Sequence, residues 1–135
     1  MSFNIGDVVA VTKLAYDVYS KGFLVARGAP DQFRELVREL SVYKEALYRV
    51  QSQTENGSRL TYDDPVRALI KRCLQTLSDF GDFVGRYEQL EWSDRGHQIL
   101  KRLSWAKEQS TIESFRAKFR DQQMMLHMVI TAGSG

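Results

Sequence analysis

Cysteine, proline and long apolar runs are all scarce in this chain. Cys73 is the lone cysteine; it cannot close an intrachain disulfide or supply a multi-cysteine zinc site, and such usage fits a reducing, cytoplasmic compartment. The two prolines, Pro30 and Pro65, together with 43% hydrophobic and 27% charged residues, exclude a disordered or fibrous composition. Uninterrupted apolar stretches such as Val8 to Val11 fall far short of the ~20 residues that span a bilayer. The first residues lack a basic segment ahead of their apolar stretch, and Asp7, Lys13 and Asp17 interrupt it, unlike a secretory signal. The short signatures of catalysis are missing too: there is no Gly-x-Ser-x-Gly, no His-Glu-x-x-His, no P-loop and no Gly-x-Gly-x-x-Gly. The expectation is a domain without an active site, a cofactor or a metal.

What is present is helical periodicity in a length of 135 residues, enough for one domain to bury its own core. The pattern predicts an all-α bundle of four or five helices at about 7–27, 30–53, 64–90, 93–106 and 110–132. A single domain over 1–132 is expected, with Gly133-Ser134-Gly135 reading as linker. In the first segment Val8, Val11, Leu14 and Val18 form one stripe and Val9, Tyr16 and Phe23 a second, leaving a narrow polar side. Such a wide apolar arc suits a helix with several neighbours. Gly28-Ala29-Pro30 punctuates its end, and Pro30 suits the first turn of the next helix with Asp31 near its positive end. Phe33, Leu36, Val37, Leu40, Tyr43, Leu47 and Val50 then make the cleanest amphipathic stripe. The polar stretch from Gln53 to Arg59, with its Asn-Gly step, reads as a loop. Asp63 or Asp64 caps the third helix, whose Gly81 and Gly85 suggest a close backbone approach by a neighbour. Ser110-Thr111-Ile112-Glu113 matches a capping box for the last helix, whose apolar stripe Gln122 interrupts.

Each candidate for chemistry has a plainer use. His97 and His127 lie on different segments with no obvious further ligands. Cys73 falls on the inward stripe of the third helix, where a small buried hydrophobe is the commoner role. Asp79 with Asp82, and Glu35 with Glu39, share helix faces as acid–base pairs do, but as solvated carboxylates do far more often. Trp92 and Trp105 flank a basic segment in which base stacking or interface anchoring competes with core anchoring of a short helix. Charge is uneven: between residues 95 and 120 seven cations, Arg95, Lys101, Arg102, Lys107, Arg116, Lys118 and Arg120, face two anions, Glu108 and Glu113, a local balance of +5 within a chain of +2. Anionic lipid or nucleic acid would suit that patch, nucleic acid ranking last; a solvated helix face is its commoner use.

Three segments carry a resemblance. Met1-Ser2-Phe3-Asn4-Ile5-Gly6-Asp7-Val8-Val9-Ala10-Val11 runs on to Leu14-Ala15 and Val18-Tyr19. Ala29-Pro30-Asp31-Gln32-Phe33-Arg34-Glu35-Leu36 leads into Glu39-Leu40, and Leu103-Ser104-Trp105-Ala106 precedes the last helix. Together they resemble the N-terminal domains of fungal STAND (NLR-like) receptors, including HeLo-like helical bundles. The resemblance implies a cytoplasmic signalling domain in innate immunity or programmed cell death, with self-association and the downstream domains of a longer protein as partners. It also implies targeting of anionic membrane lipids on activation, through a first helix presenting Phe3, Ile5, Val8, Val9, Val11, Leu14 and Val18. A non-lytic protein-interaction scaffold is the alternative it leaves open.

Overall fold

The computed structural model describes residues 5–55, 64–88 and 105–134. They form an all-α bundle of four long helices, α1 (Ile5–Ala26), α2 (Asp31–Glu55), α3 (Asp64–Glu88) and α4 (Gln109–Ser134), with no strand among the described residues. The expected short helix at 93–106 lies outside the described residues except for Trp105 and Ala106, which begin a helical turn just before α4.

The helix ends follow from backbone chemistry. At the end of α1 the amides of Arg27, Gly28 and Ala29 donate to carbonyls three residues back, at 3.4, 3.3 and 3.2 Å. This tightened turn satisfies carbonyls that the helix itself leaves open. Pro30 sits just outside α2: its carbonyl accepts from the amides of Phe33 and Arg34 at 3.0 and 3.2 Å, so it acts one position before the first turn expected for it. The capping box at Ser110 is not the start of α4. Glu108 takes that role, its carbonyl accepting from the Ile112 amide at 2.9 Å, and its carboxylate suits the positive helix end. At the other end α4 continues through Gly133 to Ser134, where a linker was expected.

The neighbouring pairs are α1 with α2, α2 with α4, α4 with α3 and α3 with α1. Consecutive helices α2 and α3 therefore occupy opposite corners. The cross-links fix direction: Glu39, Tyr43 and Gln53 of α2 meet Arg116, Gln122 and Ile130 of α4 in ascending order, so these two run parallel. Arg72 and Thr76 of α3 meet Met125 and Gln122, so α3 and α4 run antiparallel.

A Cβ on Gly22 would meet Val37 at 3.5 Å and Phe80 at 3.6 Å, and one on Gly81 would meet Val18 at 3.4 Å, all ordinary van der Waals contact; at Gly85 nothing lies within 4 Å. The close backbone approach expected at Gly81 and Gly85 is therefore not what these glycines provide.

The core is aromatic at one end. Phe33, Phe80, Phe83, Phe115, Phe119, Tyr87 and Trp105 pack with ring centroids between 4.2 and 6.3 Å, Tyr87 stacking on Trp105 at the shortest of these. Each such ring removed from water contributes ~1.5–3 kcal/mol, with further gain from tilted and edge-on ring geometry. Trp105 thus anchors core, as its plainer reading had it.

Candidate interaction surfaces

The first-helix residues singled out by sequence are interior in this packed state. Val8, Val11 and Val18 are buried, Val9 and Leu14 are half-buried, and Phe3 and the Ile5 side chain lie outside the described residues. The apolar side chains that α1 shows to solvent are instead Tyr16, Phe23 and Leu24. No helix among the described residues is long and apolar enough to cross a membrane.

The basic segment does not assemble into one patch among its described members. Arg95, Lys101 and Arg102 lie outside the described residues. Arg116 and Arg120 both donate to Glu39 Oε1, at 3.0 and 2.7 Å through Nη2 and at 3.1 Å each through Nε. Lys118 lies 5.9 Å from the centre of the Phe115 ring, and Lys107 is exposed. Two of the seven cations therefore share one carboxylate, 77 and 81 residues away in the chain, a pairing with no trace in local sequence. It also separates the carboxylates of Glu35 and Glu39, because Glu35 pairs with Arg38.

Inside the bundle lies a polar chain that sequence showed only as the interruption at Gln122. The Tyr43 hydroxyl donates to Gln122 Oε1 at 2.7 Å, and Gln122 Nε2 donates to Thr76 Oγ1 at 2.8 Å, linking α2, α4 and α3. Burial, with the neighbouring Cys73, drives the Tyr43 hydroxyl far above its ordinary range. Cys73 is itself fully buried, and burial pushes its thiol up to about 11. A thiol so protonated is no nucleophile near neutral pH. Asp79 accepts from Gln75 at 2.9 Å and is exposed, as is Asp82. His127 is half-buried and His97 lies outside the described residues. Among the described residues no three His, Cys, Asp or Glu side chains group closely enough to hold a metal.

A second polar cluster braces α1 against α2. Lys44 Nζ sits 4.5 and 4.8 Å from the ring centres of Tyr16 and Tyr19 and donates to Glu45 Oε1 at 2.9 Å; the Tyr16 hydroxyl donates to the same oxygen at 3.2 Å. The Lys44 hydrogen bond holds the Glu45 carboxyl below its usual range, and partial burial followed by Glu45 raises Tyr16. At the aromatic end, burial and then Glu108 push Tyr87 up to about 12.

Two of the open grooves carry large apolar side chains at high exposure. Between α3 and α4 a hollow of about 240 Å³ is walled by Pro65, Val66, Leu69, Arg72, Met125, Met128 and Val129. Met128, which walls it, is 71% exposed, and Met124, one turn earlier on α4, is 67% exposed, so the apolar surface continues out of the hollow along α4. Between α1 and α2 a groove of about 380 Å³ has Tyr19, Phe23, Ala26 and Val37 as its apolar lining and Arg27, Arg34, Arg38 and Ser41 as its polar one. Neither groove was legible beforehand, because each is made where two helices diverge. No family model, characterised protein or solved structure matches the chain.

Proposed function

We propose that this chain is a helical signalling domain that works by self-association, as the N-terminal domain of a cytoplasmic STAND-type receptor in immunity or cell death, and without chemistry of its own. The observation that carries self-association is the methionine face beside the α3–α4 hollow. Large unbranched thioethers at high exposure cost solvation without adding to the core, and such surfaces adapt to a partner by changing rotamer. A second copy docking face to face would bury this surface on both sides in an isologous contact. The resemblance of the opening, Ala-Pro-x-x-Phe and Leu-Ser-Trp-Ala segments supports the receptor context.

Engagement of anionic lipid by α1 is the more demanding part of this reading. Val8, Val11 and Val18 would have to leave the core and α1 would have to part from both neighbours, so oligomer formation comes first and membrane contact follows from it.

Sedimentation velocity over a wide concentration range tests the proposal, with Met124→Ser/Met128→Ser as the paired variant. The expected result is a reversible dimer or larger species for the wild type and a monomer for the variant, with unchanged circular dichroism. A wild type that stays monomeric throughout, or a variant that associates equally well, overturns it. Dye release from phosphatidylserine vesicles by the oligomer, lost on Val11→Gln in a folded protein, would support the membrane step.

A further inference from the structure

The α1–α2 groove lies on the opposite side of the bundle from the α3–α4 seam, and its chemistry differs. Tyr19 and Phe23 on α1 and Arg27 in the turn that closes it follow one another at four-residue steps, with the Tyr19 and Phe23 ring centres 6.2 Å apart. Phe23 is 52% exposed, although it lies between two helices. Along α2, Arg34 and Arg38 stand one helical turn apart on the groove's other bank.

The counter-ions of those arginines stand elsewhere. Asp31 and Glu35 pair with Arg34 and Arg38 from one turn back on α2, but neither lines the groove. Arg27 pairs with no carboxylate among the described residues. An aromatic floor is thus edged by guanidinium groups on both banks, with the neutralising carboxylates set outside.

The form of the groove narrows the occupant. Its α1 bank runs from Tyr19 to Arg27, about 12 Å at 1.5 Å per residue. The cations Arg34 and Arg38 are strung along this length at helical spacing, with Arg27 on the facing bank. We propose that the groove receives an acidic amphipathic helix from a partner protein. Its apolar stripe packs on Phe23, Tyr19 and Val37, and carboxylates one turn apart meet Arg34 and Arg38 while another on the opposite flank meets Arg27. Helix-in-groove docking supplies the apolar contact, and arginine's planar fork matches a carboxylate with two parallel hydrogen bonds.

The test uses the full chain and fluorescent helical peptides of about sixteen residues, long enough to hold helix with a staple. All share one leucine stripe, with glutamate, glutamine or lysine at the flanking positions. Fluorescence anisotropy is expected to show the glutamate peptide binding at least about tenfold more tightly than the glutamine one, with the gap narrowing as salt rises. Arg27→Gln/Arg38→Gln should erase the preference for glutamate, and Phe23→Ser should weaken binding of both. These side chains are exposed enough that the fold survives, which circular dichroism checks. Equal binding of glutamate and glutamine peptides, no binding at all, or a preference surviving the double arginine variant overturns the proposal. So does capture of phosphatidylserine vesicles in place of the peptides. Sedimentation of the same variants separates this groove from the self-association surface: Arg27→Gln/Arg38→Gln should still self-associate, and Met124→Ser/Met128→Ser should still bind peptide.

Discussion

The seam between α3 and α4 is closed at one end and open at the other, and the two ends are built from different side chains. Toward the C-terminus of α3, Phe80, Phe83 and Tyr87 interlock with Phe115, Phe119 and Trp105, and Phe33 of the opposite corner reaches in to complete the cluster. Toward its N-terminus, Val66 and Leu69 face Met125, Met128 and Val129 across a hollow that nothing among the described residues fills. Between the two ends stands the Tyr43–Gln122–Thr76 chain. Rigid rings at many mutual angles leave no freedom of packing; flexible methionines leave a good deal. One end of a single helix pair therefore holds the fold, and the other keeps exposed apolar side chains at Met125 and Met128.

This division is testable by substitution along the seam. Phe80 is fully buried and in ring contact with Phe33, Phe83, Phe115 and Phe119, so Phe80→Ala is expected to cost ~3–5 kcal/mol, read from urea unfolding followed by circular dichroism. A loss no larger than that of a surface change would mean the ring cluster is not the keystone. At the midpoint, Gln122→Ala strands the Tyr43 hydroxyl and the Thr76 side chain in the core, and about 1–3 kcal/mol should be lost in the same measurement. An unchanged midpoint would show that water or a local shift satisfies both groups. At the open end, Met128→Ala should move stability by no more than ~0.5 kcal/mol. A large effect there would place Met128 in the core and remove the contrast between the ends.

The polar clusters repeat the lesson at smaller scale. Glu45 and Tyr16 meet near solvent, where water competes for both, while Lys44 beside them is buried. Tyr43, Gln122 and Thr76 meet where there is no such competition, so each depends on the others. Both clusters join residues far apart in the chain, and in both the residue types alone look unremarkable on a helix.

Helix positions were legible because the signal is local. Phe33, Leu36, Val37, Leu40, Leu47 and Val50 repeat at three and four, and all are buried. The boundaries moved by about one residue where the carbonyls of Pro30 and Glu108 accept the first helical amides, just ahead of the starts expected at Pro30 and Ser110. The candidate surfaces were read less well. Val8, Val11 and Val18 form an apolar stripe, but a stripe cannot say whether a neighbouring helix or a partner covers it, and here α2 and α3 do. Arg116 and Arg120 counted as free charge until Glu39, remote in the chain, was brought beside them.

By itself the sequence determined that this chain is helical, about where each long helix lies and which of its faces is apolar, because those follow from the 3.6-residue period and from backbone groups within a turn of one another. Only the tertiary structure decided that α2 and α3 stand at opposite corners, that Glu39 answers two arginines of α4, and that apolar surface stays open at Met124, Met128 and Phe23. Those outcomes depend on which helices share a seam and where two of them part, and residues brought together from 40 to 80 positions away leave no periodic mark on the chain.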